Sequence, residues 1–309
     1  MKHISIHLPV RLSQPKSLKA GFFALCLTLC TATSLHAASV PATCATIRHG
    51  GNGSGSLDNI VVTFPGNAGT LTATHQTVTG GGDSATDLAD ASSVLLLAAL
   101  TGHHNAACSK WLEDQGDAAQ SQITAGHALG VSWNGVSTRH ATTRVSFDSA
   151  KLSISKDGAN AAASLAFSGV TTSGIEAPSL MPSSAQANFS LPASELANLM
   201  AATAGKVASL PAVHVTIRSL TAHRDTVTLS GNGRATLTGE HDSASASGHL
   251  EITDISTLID KARQDSQMKV AAALIMARLV SHKNGNANTW DTTWQGGVLT
   301  VNGVPLPLQ

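Results

Sequence analysis

The spacing of apolar side chains divides the chain into strand-like and helix-like stretches. Residues 60–64 and 70–77 read as strands. Leu88, Ala91, Leu95 and Ala98 then recur at three- and four-residue spacing, and Ser84 or Asp87 can cap the helix they predict. Residues 94–100 are apolar all round, so this helix should be buried; it is far too short to cross a bilayer. A second helix is predicted over about 106–123, weakened by Gly116.

From about Leu129 the pattern turns to strands. Val213, Val215 and Ile217 alternate with His214, Thr216 and Arg218, giving one apolar and one polar face. Val227 and Leu229 continue the alternation up to Gly231-Asn232-Gly233, which reads as a hairpin turn with Ala235 and Leu237 on the return strand. Leu250 and Ile252 mark another strand, and Leu299 and Val301 a last one. Two helices interrupt them. One covers 193–204, with Leu196, Leu199 and Met200 as its apolar edge; the other covers 256–281, with a break near Asp265. In the second half of the latter, Val270, Ala271, Leu274, Ile275 and Leu279 form a stripe read as core-facing. The alternative, a membrane-surface helix, would carry more Lys and Arg on its polar face.

A faint internal repeat accompanies this pattern. Arg144-Val145-Ser146-Phe147-Asp148-Ser149 resembles His214-Val215-Thr216-Ile217-Arg218-Ser219, and each is followed by strands and then a helix. The predicted fold class is α+β: antiparallel β-sheets, curved and containing two strand-strand-strand-helix units, covered on one side by helices. Three segments are expected: a signal peptide at 1–38, a helical and β region with one disulfide at 39–128, and a β-rich domain with two helical insertions at 129–309.

Composition adds the address and the redox state. Charged residues are 12% of the 309 and balance to zero, so no basic excess exists to displace counterions, and no nucleic-acid partner is expected. Lys2, Arg11, Lys16 and Lys19 precede an apolar run at 20–29 and small residues at 34–38. That is the layout of a secretory signal cut after Ala37 or Ala38, which implies a periplasmic protein with no stable transmembrane span after cleavage. Losing those four basic residues would leave 15 basic against 19 acidic ones, a formal charge of −4. Cys26 and Cys30 fall in the signal, so Cys44 and Cys108 remain. An exported chain is expected to join them in one disulfide, two free thiols being the alternative.

Reactive chemistry leaves few marks. The glycine-rich stretch 49–57 lacks the Gly-Lys-Ser/Thr ending of a phosphate loop and reads as a turn. Eleven histidines follow the signal, none in a metal-binding motif; His103 and His104 read as loop residues. His249 and Glu251 share one strand face, His214 and Arg218 another, and both pairs read as polar decoration. No Gly-x-Ser-x-Gly elbow occurs. No catalytic, cofactor-binding or metal-binding residue is predicted. Trp290 and Trp294, four apart, either cover the end of the core or form the lip of an apolar ligand site.

One resemblance joins these features. Gly233-Arg234-Ala235-Thr236-Leu237 is followed by Ala246-Ser247-Gly248-His249-Leu250-Glu251-Ile252-Thr253-Asp254, a helix, and Trp294-Gln295-Gly296-Gly297-Val298-Leu299 running to Pro305-Leu306-Pro307. That order resembles an uncharacterised proteobacterial exported family, domain of unknown function 2125, over the last half of the chain. The family supplies no catalytic residues. The resemblance implies an envelope protein, and a curved sheet with helices, its inner face partly open, is expected to bind an apolar or amphipathic, lipid-like ligand or an envelope partner without catalysis. A hydrolase with a dispersed site and a structural envelope contact protein are the rival expectations.

Overall fold

The computed structural model describes residues 39–51, 55–82, 85–102, 105–204, 211–238 and 243–306. The signal-like segment with Cys26 and Cys30, the Ser84 cap and the His103-His104 pair lie outside them. The first strands are β1 (Thr46–Gly50), β2 (Ser56–Thr63) and β3 (Thr70–Thr79), followed by α1 (Ala85–Thr101) and α2 (Ala106–Thr124). Next come β4 (Leu129–His140), β5 (Thr143–Asp157), β6 (Asn160–Ser168), β7 (Thr171–Ser173), β8 (Ser184–Pro192) and α3 (Leu196–Ala204). The chain then forms β9 (Val213–Arg224), β10 (Val227–Leu237), β11 (Ser245–Thr253), α4 (Ile255–Gln264) and α5 (Met268–Leu279). It ends with β12 (His282–Asn284), β13 (Ala287–Gln295), β14 (Val298–Val301) and β15 (Val304–Leu306).

All fifteen strands belong to one antiparallel sheet, where more than one was expected. Its main path is a meander, each strand pairing with the one before it. Two short strands extend this path: β7 pairs with Arg144–Ser146 of β5, the end that β6 does not reach, and β12 pairs with β13. The predicted strand-strand-strand-helix order occurs twice, as β5-β6-β8 leading to α3 and β9-β10-β11 leading to α4. β3 pairs with β4, so the sheet continues across the junction at 128/129.

The buried face of the first half does not keep a strict period of two. On β2 the buried residues are Leu57, then Ile60 and Val62; on β3, Leu71 and Ala73, then Gln76 and Val78. On β4 they are Leu129, Val131 and Trp133, then Val136 and Thr138; on β5, Phe147, then Ala150. Each strand therefore takes one three-residue step. The steps lie side by side, because Leu57 pairs with Gln76, Gln76 with Trp133 and Trp133 with Ala150. A line of local twist thus crosses four strands and returns the apolar side chains to the same core on both sides of it. Asn59 (φ 52°) and Gly135 (φ 58°) supply the left-handed backbone on this line. A Cβ on Gly135 would also meet the Thr74 side chain at 2.7 Å.

Two separate apolar clusters result. The larger joins β2–β6, β8 and β9 to α1, α2 and α3 through residues such as Leu71, Trp133, Leu97, Leu112 and Leu196. Inside it sits Gln76, 1% exposed, whose Nε2 donates to Ala89 O (3.0 Å) and Ser92 Oγ (3.3 Å). Ser93 Oγ donates to Gln76 Oε1 (3.3 Å) and accepts from Trp133 Nε1 (3.2 Å). These bonds satisfy the buried amide and indole while fixing α1 on β3 and β4. The smaller cluster joins Ile255 and Ile259 of α4 to Trp290 and Val301 of the last strands.

Cys44 and Cys108 form the expected disulfide, with sulfurs 2.08 Å apart, linking the segment before β1 to the first turn of α2. Beside it Asn105 caps α2, accepting from Ala107 N (2.8 Å), while its Nδ2 donates to Thr43 O (2.8 Å).

Three expectations are corrected. Gly231-Asn232-Gly233 is not a turn but the middle of β10, paired throughout with β11 and, across an irregularity at Asn232, with β9. The reversal lies instead between Arg224 and Val227, with Asp225 at φ 53°. Gly116 does not mark a weak point in α2. It is buried where α3 crosses, and a Cβ there would lie 2.5 Å from Ala197 Cα. Finally, the stripe on 268–279 is not core-facing as a whole: Ala271 is buried, Leu274 and Ile275 are half-buried, and Val270 and Leu279 are exposed.

Helix propensity alone would make Gly116→Ala stabilising by about 1 kcal/mol. The contact with Ala197 reverses the sign, and we expect a net loss of roughly 1–3 kcal/mol, read as a lower urea midpoint. Reducing the disulfide releases a constraint across 64 residues of sequence, for which chain entropy gives about 4 kcal/mol. Urea titration with and without a thiol reductant measures it; equal midpoints would contradict this estimate.

Candidate functional site

The helix pair α4–α5 departs most from a closed core. Asp254, at φ 59°, begins it by accepting from Thr226 Oγ1 (2.6 Å) and Thr257 Oγ1 (2.7 Å). These bonds, that of Thr226 foremost, hold its carboxyl below the usual range. Ile255, Ile259 and Ala262, at four- and three-residue spacing, face the smaller core. Lys261 Nζ donates to Asp225 Oδ2 (2.7 Å), tying α4 to the β9–β10 reversal and lowering the Asp225 pKa. At the end of α4, Asp265 accepts from the Ser179 hydroxyl.

The far end of α5 is anchored by three side chains of the last strands. Trp290 Nε1 donates to Ala277 O (2.8 Å), Asn302 Nδ2 to Val280 O (2.6 Å) and Asn288 Nδ2 to Ser281 Oγ (2.6 Å). Between α4 and α5 lies a cleft of ≈ 520 Å³. Ile259, Ile275 and Leu279 are its apolar lining, and Arg263, Arg278 and Lys283 contribute three cations. Asp260 is the one carboxylate among the lining residues and is held by Arg263 Nη1 at 3.2 Å. Arg278 and Lys283 make no ion pair among the described residues. This arrangement can hold an apolar body and an anionic end together, and its volume lies within the roughly 300–1,000 Å³ of small-molecule sites.

The sequence-predicted residues take different places. Trp290 is 5% exposed and lies among the core residues beneath α5. Trp294 is half-buried further along β13, opposite Ala246 on one side and Leu299 on the other. Pattern reasoning missed the cleft cations because they lie on α4, α5 and β12, three separate elements.

Both histidines that were read as decoration have carboxylate partners on other elements. His249 Nδ1 lies 2.8 Å from Asp291 Oδ1, and His214 Nδ1 lies 3.0 Å from Glu195 Oε1. Arg218 pairs with Asp157. On β2 and β3, His75 Nδ1 lies 2.7 Å from Asp58 Oδ1, and His75 Nε2 lies 3.1 Å from Thr77 Oγ1. That is a carboxylate–imidazole–hydroxyl relay on an open strand face. No group of three His, Cys, Asp or Glu side chains gathers as a metal site among the described residues.

Asp90 on α1 is the group whose ionisation burial opposes most: its pKa rises from 3.8 to about 6, with His49 Nε2 at 3.7 Å partly countering and Asp87 adding to the rise. A carboxyl with a raised folded pKa binds its proton more tightly in the folded state. Its contribution to stability is therefore present at pH 4 and lost as pH climbs through about 6. We expect Asp90→Asn to be more stable than the parent at pH 7.5 by on the order of 2 kcal/mol, and flatter between pH 4 and 7.5. Urea midpoints across that range check it. Comparison of the chain with protein-family models, with curated proteins and with solved structures finds no match in any of the three.

Proposed function

We propose that this chain is an exported, non-catalytic binder of an amphipathic, lipid-like molecule, and that the ligand enters the α4–α5 cleft. The observation that carries the reading is the pairing of an apolar lining (Ile259, Ile275, Leu279) with three cations in one cavity. An apolar body leaves water against the isoleucines and the leucine, and an acidic headgroup meets Arg278 and Lys283. In this reading the five helices shield one face of the sheet, completely over α1–α3 and incompletely over α4–α5. Trp290 supports the cleft from below through its bond to Ala277, and Trp294 lines the continuing apolar face. The resemblance of the last half to an exported envelope family, and the signal-like start, agree with a periplasmic address.

Protein recovered from its host and extracted with organic solvent should release an acidic amphiphile near one per chain by mass spectrometry. Ile275→Glu should reduce that load at least tenfold. A ligand-free extract from the parent would sink the proposal.

The Asp58–His75–Thr77 relay favours a second reading, a hydrolase whose nucleophile is the Thr77 hydroxyl. Asp58 accepts from Nδ1–H, which leaves Nε2 free to take the hydroxyl proton. A fluorophosphonate probe would then label Thr77, and peptide mapping without an adduct there would remove this alternative.

A further inference from the structure

Helix α5 is apolar on the side it turns to water. Met268, Ala272, Met276 and Leu279 are spaced by four, four and three residues and so share one side of the helix. Met268 is 63% exposed, Met276 61% and Leu279 72%, and Ala272 is exposed between them. Ala271 is the one buried residue of the twelve. A helix hydrophobic all round normally lies inside a protein or against lipid. This one is covered on its inner side, by α4 and the Trp290 contact, and nowhere else among the described residues.

The surrounding charges say what would cover the rest. α5 carries Lys269 and Arg278 and no Asp or Glu, and Lys283 follows on β12. Of the acidic neighbours, Asp260 is held by Arg263 and Asp265 by Ser179, which leaves Glu176, whose backbone carbonyl accepts from Gln267 at the start of α5. A second copy of the chain suits this face poorly. Two α5 helices packed antiparallel about a twofold axis would set Lys269 and Arg278 against each other, with no carboxylate on either helix to offset the repulsion. An anionic lipid surface suits it well, since it accepts the thioether and leucine side chains below the headgroups and the cations among them.

We propose that the outward face of α5 (Met268, Ala272, Met276 and Leu279, flanked by Lys269 and Arg278) docks on an anionic lipid surface. This docking goes beyond the ligand-binding reading and does not depend on it. The two meet at Leu279, which belongs both to the outward stripe and to the cleft lining. A docked α5 sets the cleft mouth at headgroup level, where a lipid could pass between bilayer and protein without crossing water.

Hydrogen exchange on the full chain tests this locally, with the exchange of β2–β5 as an internal control for folding. Vesicles containing phosphatidylglycerol should slow exchange across 268–279, and pure phosphatidylcholine vesicles should not. The double variant Met276→Ser, Leu279→Ser should abolish that protection. Lys269→Glu should weaken vesicle partitioning by about fivefold or more, the effect expected of each juxtamembrane cation. Unchanged exchange with anionic vesicles would overturn the proposal, as would equal protection by both vesicle types. Protection that grows with protein concentration in the absence of vesicles would assign the face to a second copy and overturn it as well. Solvent extraction of host-purified protein reports on the cleft independently, so failure of docking and failure of ligand binding are distinguishable.

Discussion

An antiparallel meander satisfies its backbone through neighbouring strands, but the apolar side chains it carries must still be kept from water. Here the sheet has fifteen strands and five helices accompany it. One of its two apolar clusters is large. Leu71, Trp133, Leu97, Leu112 and Leu196 meet in one cluster, and the Gln76–Ser93–Trp133 bonds fix α1 in register over β3 and β4. The other is small, with Ile255, Ile259, Trp290 and Val301 as its four buried residues.

The two clusters are held differently. In the first, the buried Gln76, Ser93 and Trp133 side chains bond one another, which suits a rigid scaffold. In the second, α5 is held at its far end by Trp290, Asn288 and Asn302, through its own carbonyls and Ser281, while its outer side remains greasy. A helix pinned in this way presents an apolar surface without losing its position. Cations on α4, α5 and β12 line the cleft, each element contributing one.

Much of this was legible in the residues. The alternation from Val213 to Ile217 is β9, and the break foreseen near Asp265 separates α4 from α5. The pairing of Cys44 with Cys108 followed from there being two cysteines beyond the signal-like start. What misled was the reading of glycines and of apolar stripes by local rules. Gly231-Asn232-Gly233 has turn composition, yet it runs through β10 because β11 pairs with all three residues and β9 with both glycines. Gly116 has poor helix propensity, yet its missing side chain is what lets α3 approach. The stripe of 268–279 has the composition of a core helix, and nothing local says that no further element will arrive to cover it.

The sequence by itself determined which stretches become strands or helices, where the main breaks fall and which thiols are left to pair, because those depend on periodicity, capping and counting within a short window. Only the tertiary structure decided that the strands form one sheet, that a three-residue step crosses β2 to β5 in line, and that Ile259, Arg263, Ile275, Arg278 and Lys283 border one cavity. Those features depend on which residues distant in the chain become neighbours. That choice is made by packing among distant elements rather than by any segment alone.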